Sequence, residues 1–202
     1  MNYSIAVDEH HHEHHHHNTD AIDIFGFWIY IMSDCILFAS LFAGFLVLHN
    51  NVWSGPSIKE ITHLPYILVE TMALLASSFT YGMAILGLYR NSKTQVLFWL
   101  VITFLFGITF VAMEVNEFVH LYLEGHSWQT SAALSSFFSL VATHGLHVSF
   151  GLLWMVILII QLSTFGIDSN MKRRLSYLGL FWAFLDIVWI FVFTIVYLMG
   201  SI

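Results

Sequence analysis

Charge is what this sequence has least of. Only 9% of its 202 residues are Asp, Glu, Lys or Arg, against about 25% in soluble domains. A water-soluble fold of this length could not cover its surface with so few charges, so lipid must do the covering. The single cysteine, Cys35, excludes an internal disulfide and any Cys-based metal cluster. Only two prolines occur, Pro56 in a polar connection and Pro65 at the start of an apolar run. No GxSxG, P-loop or GxGxxG string is present, which removes the common hydrolase and nucleotide-binding motifs. No internal repeat is evident. Residues 1–23 lack the basic start and apolar stretch of a cleavable signal peptide, so the first apolar helix is expected to act as its own insertion signal. The formal charge of −7 says little about partners, because several acids lie inside apolar runs, and nothing points to nucleic acid.

What the chain does have is apolar and aromatic mass. Hydrophobic residues make up 58%, including nineteen Phe, seven Trp and eight Tyr. Five apolar runs stand at roughly 24–48, 65–89, 96–118, 133–161 and 177–200. Each reaches the ~20 residues that cross ~30 Å of hydrocarbon. The runs are continuous rather than alternating, so the expected fold is all-α, an integral membrane bundle of five transmembrane helices forming one domain over 24–202. Pro65 suits a first helical turn, where its missing N–H costs nothing. Ser54-Gly55-Pro56, Arg90 to Lys93, Glu124 to Ser127 and Asp168 to Arg174 read as the connections. Residues 1–23, with a histidine run from His10 to His17 broken only by Glu13, read as a disordered polar tail; weak binding of divalent metal is the functional alternative for that run. Trp28, Tyr30, Trp53, Tyr66, Tyr89, Trp99 and Trp128 fall mostly at span ends, where aromatic anchoring is ordinary. Arg90, Lys93, Lys172, Arg173 and Arg174 share the side of the tail, and only Lys59 lies opposite. The positive-inside rule then puts the N-terminus in the cytoplasm and the C-terminus in the periplasm.

Against this background, Asp34, Glu70, Glu114, Glu117 and Asp186, with His144 and His147, sit inside or at the edges of the runs. A charged side chain at the bilayer centre costs ~3 kcal/mol on insertion scales. No intramembrane Lys or Arg offsets these seven. They must face other helices, stay uncharged, or pair with the histidines. At 1.5 Å per residue Asp34, His144 and Asp186 fall near mid-membrane, and the three glutamates lie towards one side. Glu114 and Glu117 are three apart, as are His144 and His147, so each pair shares a helix face and a contact between the two pairs is reasonable. A proton relay is the functional reading. Interhelical hydrogen bonding, ~0.6 kcal/mol per bond, is the structural one, and the small residues around Thr143-His144-Gly145 favour it. Two histidines on one face of one helix cannot clamp a haem between them. A metal at His144, His147 and Glu117 would have the minimum ligand count. No catalytic, cofactor-binding or metal-binding residue is assigned.

The runs themselves resemble a known family. Phe25-Gly26-Phe27-Trp28-Ile29-Tyr30-Ile31-Met32-Ser33-Asp34-Cys35 looks like an opening helix of haem–copper oxidase subunit III in its cytochrome bo-type ubiquinol oxidase form. Leu68-Val69-Glu70-Thr71 with Ser77-Ser78-Phe79-Thr80-Tyr81-Gly82-Met83, Met113-Glu114 with Glu117-Phe118, and Thr143-His144-Gly145-Leu146-His147-Val148 resemble the next three helices. Phe184-Leu185-Asp186-Ile187-Val188-Trp189-Ile190 and Val196-Tyr197-Leu198-Met199-Gly200 fit the last. The resemblance runs from about residue 24 to the end. It implies a bacterial inner-membrane accessory subunit that binds no redox cofactor. Haems, copper and ubiquinol would belong to a partner subunit I, with subunits II and IV and membrane phospholipids as further neighbours. Within the family the position of Asp34 is an intramembrane carboxyl, usually Glu, reactive towards hydrophobic carbodiimides. Ala183 stands where the family commonly has His, which weakens any continuous relay through this chain. The usual cytochrome c oxidase subunit has two further helices, so a lipid cleft built from them is not carried over. A five-helix cytochrome c oxidase subunit III and an independent proton-coupled transporter remain the alternatives; the latter is disfavoured by the lack of inverted repeats and broken helices.

Overall fold

A computed structural model of the chain describes residues 5–48, 64–123 and 131–198. Among the described residues all regular structure is helical: α1 (Ile5–Leu48), α2 (Leu64–Tyr89), α3 (Lys93–Leu123), α4 (Ala132–Phe165) and α5 (Ser169–Val192), the last continued by a π-helical segment, Phe193–Leu198. Five stretches are long and apolar enough to cross a membrane: Ile24–Leu48, Pro65–Tyr89, Lys93–Leu123, Ala132–Phe165 and Ser169–Leu198. The chain is therefore the expected all-α, five-span membrane protein. It divides into two compact units, Met1–Leu37 and Phe38–Ile202.

The helix ends differ from the sequence expectation where local chemistry extends a helix past its apolar run. α1 begins at Ile5, upstream of the boundary expected at residue 24. Once a helix is nucleated by an apolar run, each added residue gains a hydrogen bond for one residue's ordering, so polar neighbours can join it. α3 runs to Leu123 and α4 to Phe165 for the same reason. The connection expected from Asp168 to Arg174 is in fact mostly helix: Asp168 is the N-cap, α5 starts at Ser169, and Lys172 to Arg174 stand on its first turns. Ser131 caps α4, its hydroxyl accepting from the Leu134 N–H at 3.1 Å. The α2–α3 turn closes around Asn91, whose φ of 53° is a left-handed value that Asn tolerates. The connections expected at Ser54-Gly55-Pro56 and Glu124 to Ser127 lie outside the described residues, as do Lys59, His49, His63 and His126.

Within Phe38–Ile202, α2 packs on α3, α3 on α4, α4 on α5, and α5 back on α2, closing a ring of four helices. Burial along each follows a seven-residue repeat. On α5 and its π-helical continuation, Leu175, Trp182, Trp189 and Val196 recur every seven residues, interleaved with Leu178, Leu185 and Val192, and all are buried. On α2 the repeat is Ile67, Leu74, Tyr81 and Leu88. On α4 it is Leu134, Val141, Val148, Met155 and Leu162, with Phe137, His144, Gly151 and Leu158 between. On α3, Leu100, Gly107, Glu114 and Leu121 alternate with Val96, Thr103 and Phe110. Heptad seams of this kind suit the shallow ~20° crossing of four-helix bundles. The outward faces carry exposed Leu, Ile and Phe, for example Leu146, Phe150, Ile187 and Phe191.

Specific polar bonds pin the ring at several heights. Trp182 Nε1 donates to Ser77 Oγ at 3.0 Å, and Trp189 Nε1 donates to Thr71 Oγ1 at 3.1 Å. Tyr81 donates its hydroxyl to the Leu175 carbonyl at 2.6 Å, and Thr80 shares a bond of 2.8 Å with Thr103. The Phe38–Leu48 part of α1 adds Phe38 against Phe184 and Phe42 against Phe191. Replacing Ser77 by Ala leaves the buried Trp182 N–H without its acceptor and should destabilise the folded chain by about 1–3 kcal/mol. Ser176→Ala, at an exposed hydroxyl that bonds only to its own helix, should stay within about 0.5 kcal/mol. Thermal unfolding in detergent, followed by tryptophan fluorescence, separates the two.

Candidate functional site

The heptad seam accounts for three of the seven polar residues singled out in the sequence. Glu70 follows the same repeat as Ser77 and Ala84 on α2; Glu114 follows Leu100 and Gly107 on α3; His144 follows Phe137 on α4. Each therefore points inward for the same geometric reason as its apolar neighbours. Glu70 and His144 are 0% exposed and Glu114 is 2% exposed. Glu117, one turn on from Glu114, is half-buried.

Glu114 and Glu117 stand one turn apart on α3, and Glu70 lies in the second turn of α2, the helix packed against α3. Two ionised carboxylates about 6 Å apart, the spacing of residues one turn apart on a helix, repel by roughly 3 kcal/mol at an effective dielectric constant near 20. Among the described residues Glu117 has one donor, the Tyr197 hydroxyl, at 3.3 Å from Oε2. Tyr197 is fully buried in the π-helical segment after α5, between Phe137 and Trp189 at ring distances of 5.6 and 6.3 Å. Both oxygens of Glu70 and Oε1 of Glu114 have no hydrogen-bond partner among the described residues. On the rim, Tyr66 donates to the Met113 carbonyl at 3.0 Å and accepts from Asn116 at 3.4 Å.

Glu114 reaches its place because Gly145 has no side chain. A Cβ built on Gly145 would lie 2.5 Å from Glu114 Oε2 and 2.7 Å from Oε1. The carboxyl thus lies flat against the α4 backbone, one residue beyond His144. The expected Glu–His pairing is not made by His144. Both of its ring nitrogens lack a partner among the described residues. Aromatic rings enclose the imidazole instead: Trp189 at 5.1 Å, Phe110 at 5.9 Å edge-on and Phe38 at 6.3 Å. Apolar rings won the space around His144 because Phe110 and Trp189 sit on the same heptad layer of their own helices.

The remaining residues have other surroundings. His147 sits half-buried, off the seam, with Nδ1 2.7 Å from the Thr143 carbonyl. A carbonyl only accepts, so the contact places a hydrogen on Nδ1. Its ring lies 5.2 Å from Phe38. Asp186 is buried beside the α5 seam, with Oδ1 unpartnered among the described residues. Asp34 belongs to the N-terminal unit, where Tyr30, one turn earlier on α1, is hydrogen-bonded to it. Among the described residues no three His, Cys, Asp or Glu side chains come together as a metal site, and the trio His144, His147 and Glu117 is not assembled. Tyr197, Trp189 and Thr71 are the participants that the sequence reading did not single out. Spacing could point to Trp189, seven residues after Trp182. It could not point to Tyr197, because a wider π-helical turn brings residue 197 inward together with Val196.

Gly145→Ala should destabilise the bundle by about 1–3 kcal/mol through overpacking against Glu114. In a double-mutant cycle with Glu114→Ala, part of that loss should return, since the clash has lost its partner. Melting temperatures of the four proteins in one detergent measure the coupling.

The comparisons with known proteins cover nearly the whole chain. The family model for cytochrome c oxidase subunit III matches residues 3–201. A protein of Pseudomonas aeruginosa named cytochrome bo(3) ubiquinol oxidase subunit 3 is 55% identical over 179 residues, 89% of this chain and 86% of its own. Its counterpart of the same name in Buchnera aphidicola is 44% identical over 180 residues, 89% of this chain and 93% of its own. A Bacillus spizizenii protein named quinol oxidase subunit 3 is 43% identical over 182 residues, 90% and 89% of the two chains. With five membrane-crossing helices and a match from end to end, the chain belongs to the cytochrome c oxidase subunit III family.

Proposed function

We propose that the chain is the non-catalytic third subunit of a proton-pumping ubiquinol oxidase in the aerobic respiratory chain of a bacterium. It packs beside the haem–copper subunit I and stabilises it. Subunits II and IV and membrane phospholipids are its other neighbours, and the inner membrane is its location. The N-terminus and the Arg90–Lys93 turn face the cytoplasm, as the distribution of basic residues supports. The His-rich residues 1–23 extend outside the membrane-embedded part. Haems, copper and quinol are held by subunit I.

The observation that carries this reading is how the intramembrane polar groups are used. Ser77, Thr71, Tyr81 and Thr103 all bond helix to helix or within a helix, and His144 is sealed among aromatic rings. Such a seam holds four helices in one register, which is what a rigid packing partner needs. The relatives named as quinol oxidase subunits, similar over close to nine-tenths of the chain, support the same role.

The test is isolation by affinity tag. The chain should bring down a larger haem-bearing subunit in near-stoichiometric amount, while the chain expressed alone should show no haem absorbance and no quinol oxidation. His147→Leu should lower the yield of assembled complex several-fold and leave turnover per haem unchanged. Full assembly with lost proton pumping in that variant would sink the packing role.

A further inference from the structure

One flank of the bundle departs from the apolar pattern of the others. α2 and α5 run antiparallel, and three hydrogen bonds fix their register: Tyr81 to the Leu175 carbonyl, Trp182 to Ser77, and Trp189 to Thr71. Gly179 faces α2, because a Cβ built on it would lie 2.7 Å from the Tyr81 ring. Asp186, one heptad further on, shares that face of α5. Outward of this file stand Ser176 and Ala183, both exposed, and across the joint Ser78 and Gly82 on α2. In the register that the bonds set, Gly82 is level with Ser176, and nothing lies within 4 Å of a Cβ built on Gly82. The outward faces of α3 and α4 carry large side chains instead, such as Phe98, Leu105, Leu146 and Phe150. Between α2 and α5 the small residues leave a trough.

Small residues only permit close approach; the need for an occupant comes from Asp186. It is 7% exposed, and its Oδ1 is buried without a hydrogen-bond partner among the described residues. Ser78 Oγ is buried and unpartnered as well, although Ser77 and Thr71 on the same helix are both bonded to indoles of α5. Asp186 stands seventeen residues after Ser169 and twelve before Leu198, the two ends of its span, roughly 25 Å and 18 Å at 1.5 Å per residue. Lipid headgroups do not reach that depth, and acyl chains offer no hydrogen bond. A protein side chain does both. We infer that this flank is the docking surface for one transmembrane helix of a partner subunit, which lies along the trough past Gly82 and Ala183 and brings a hydrogen-bonding side chain to Asp186. The chemistry defines that helix: small residues where it crosses the trough, so that backbones can approach, and a polar side chain near its midpoint. The inference rests on the accessory-subunit reading and adds the face by which the chain is held. The bonds of Ser77 and Thr71 serve the bundle itself and are separate from it.

Photo-crosslinking in the affinity-purified oxidase complex tests it, with a diazirine-bearing amino acid placed at Ala183. On illumination the chain should become joined to another polypeptide, and mass spectrometry should place the join on a transmembrane helix with a polar side chain within about two turns. Adducts with lipid alone would overturn the inference. Asp186→Leu should lower the yield of assembled complex several-fold, while Asp186→Asn, which keeps hydrogen-bonding atoms at the same place, should retain most of it. Unchanged assembly in Asp186→Leu would count against docking. The Asp186→Leu chain purified alone should melt in detergent no lower than wild type, because it loses no bond within the bundle. A melting temperature that falls in step with assembly would show that the acid serves the bundle, and the docking role would be lost. If no haem-bearing subunit accompanies the wild-type chain, the accessory-subunit reading fails and this inference with it; if the complex forms and the diazirine marks lipid alone, only the docking face fails.

Discussion

Hydrocarbon offers no hydrogen bonds, so every polar group that enters a span must be satisfied by the protein itself. That constraint shapes this chain more than apolar attraction does, because lipid tails are as apolar as the leucines they touch. The outward faces of α2 to α5 are lined with exposed Leu, Ile and Phe, which gain little by turning inward. What distinguishes the seam is its polar and small residues. Ser77, Thr71, Thr103, Gly107 and Gly151 let indole N–H groups and helix backbones approach closely. Trp182 shows the logic: its ring fills the space left by Gly107 and Gly151, and its N–H finds Ser77. Size and polarity are complementary at one layer.

The same constraint explains what could be read from the sequence and what could not. Spans are written in length and apolarity, so Pro65–Tyr89 was legible to the residue. Polar ends were less legible, as in α5, where Lys172 to Arg174 look like a loop by composition and yet stand on the first turns after the Asp168 cap. Helix orientation about its own axis was harder still. In a soluble helix, polarity marks the outer face; here both faces are apolar, and only the intramembrane acids and histidines betray the inner one. Glu70, Glu114 and His144 were legible for that reason and proved to be on the seam. Asp186 and His147 carry the same signal but flank it, a difference that only the heptad phase reveals. Tyr197 was hidden by a change in helix pitch, and the pairing of Glu114 with Gly145 by the absence of any side chain to notice.

Family membership and physical reading meet at the seam. The match to cytochrome c oxidase subunit III spans residues 3–201, so it covers every helix that contributes to the ring. A scaffold needs its inner register fixed and its outer faces left free for lipid and neighbouring subunits, and the division of polar and apolar surface here meets both needs. A transporter built from the same acids would instead need a polar route that changes access between the two sides. The interhelical bonds at Thr71, Ser77, Tyr81 and Thr103 span successive layers of the ring and oppose such motion.

Why the glutamates cluster at one end while the cations hold the other follows from helix direction. Lys93 donates to the Ser163 carbonyl at 2.8 Å and Arg174 to the Gln161 side chain at 2.8 Å, both against the last turns of α4. Cations there complement the negative end of a helix dipole. At the opposite end the ring presents the N-termini of α2 and α4 beside the C-termini of α3 and α5, so neighbouring dipoles largely cancel. Glu70 stands in the second turn of α2, past the first turn where the dipole acts. Glu114 and Glu117 lie nearer the C-terminus of α3, where the dipole opposes a negative charge. Backbone electrostatics therefore cannot stabilise three carboxylates in this place. What each acid touches differs accordingly: bare α4 backbone for Glu114 and the Tyr197 hydroxyl for Glu117, while both Glu70 oxygens lack a hydrogen-bond partner among the described residues.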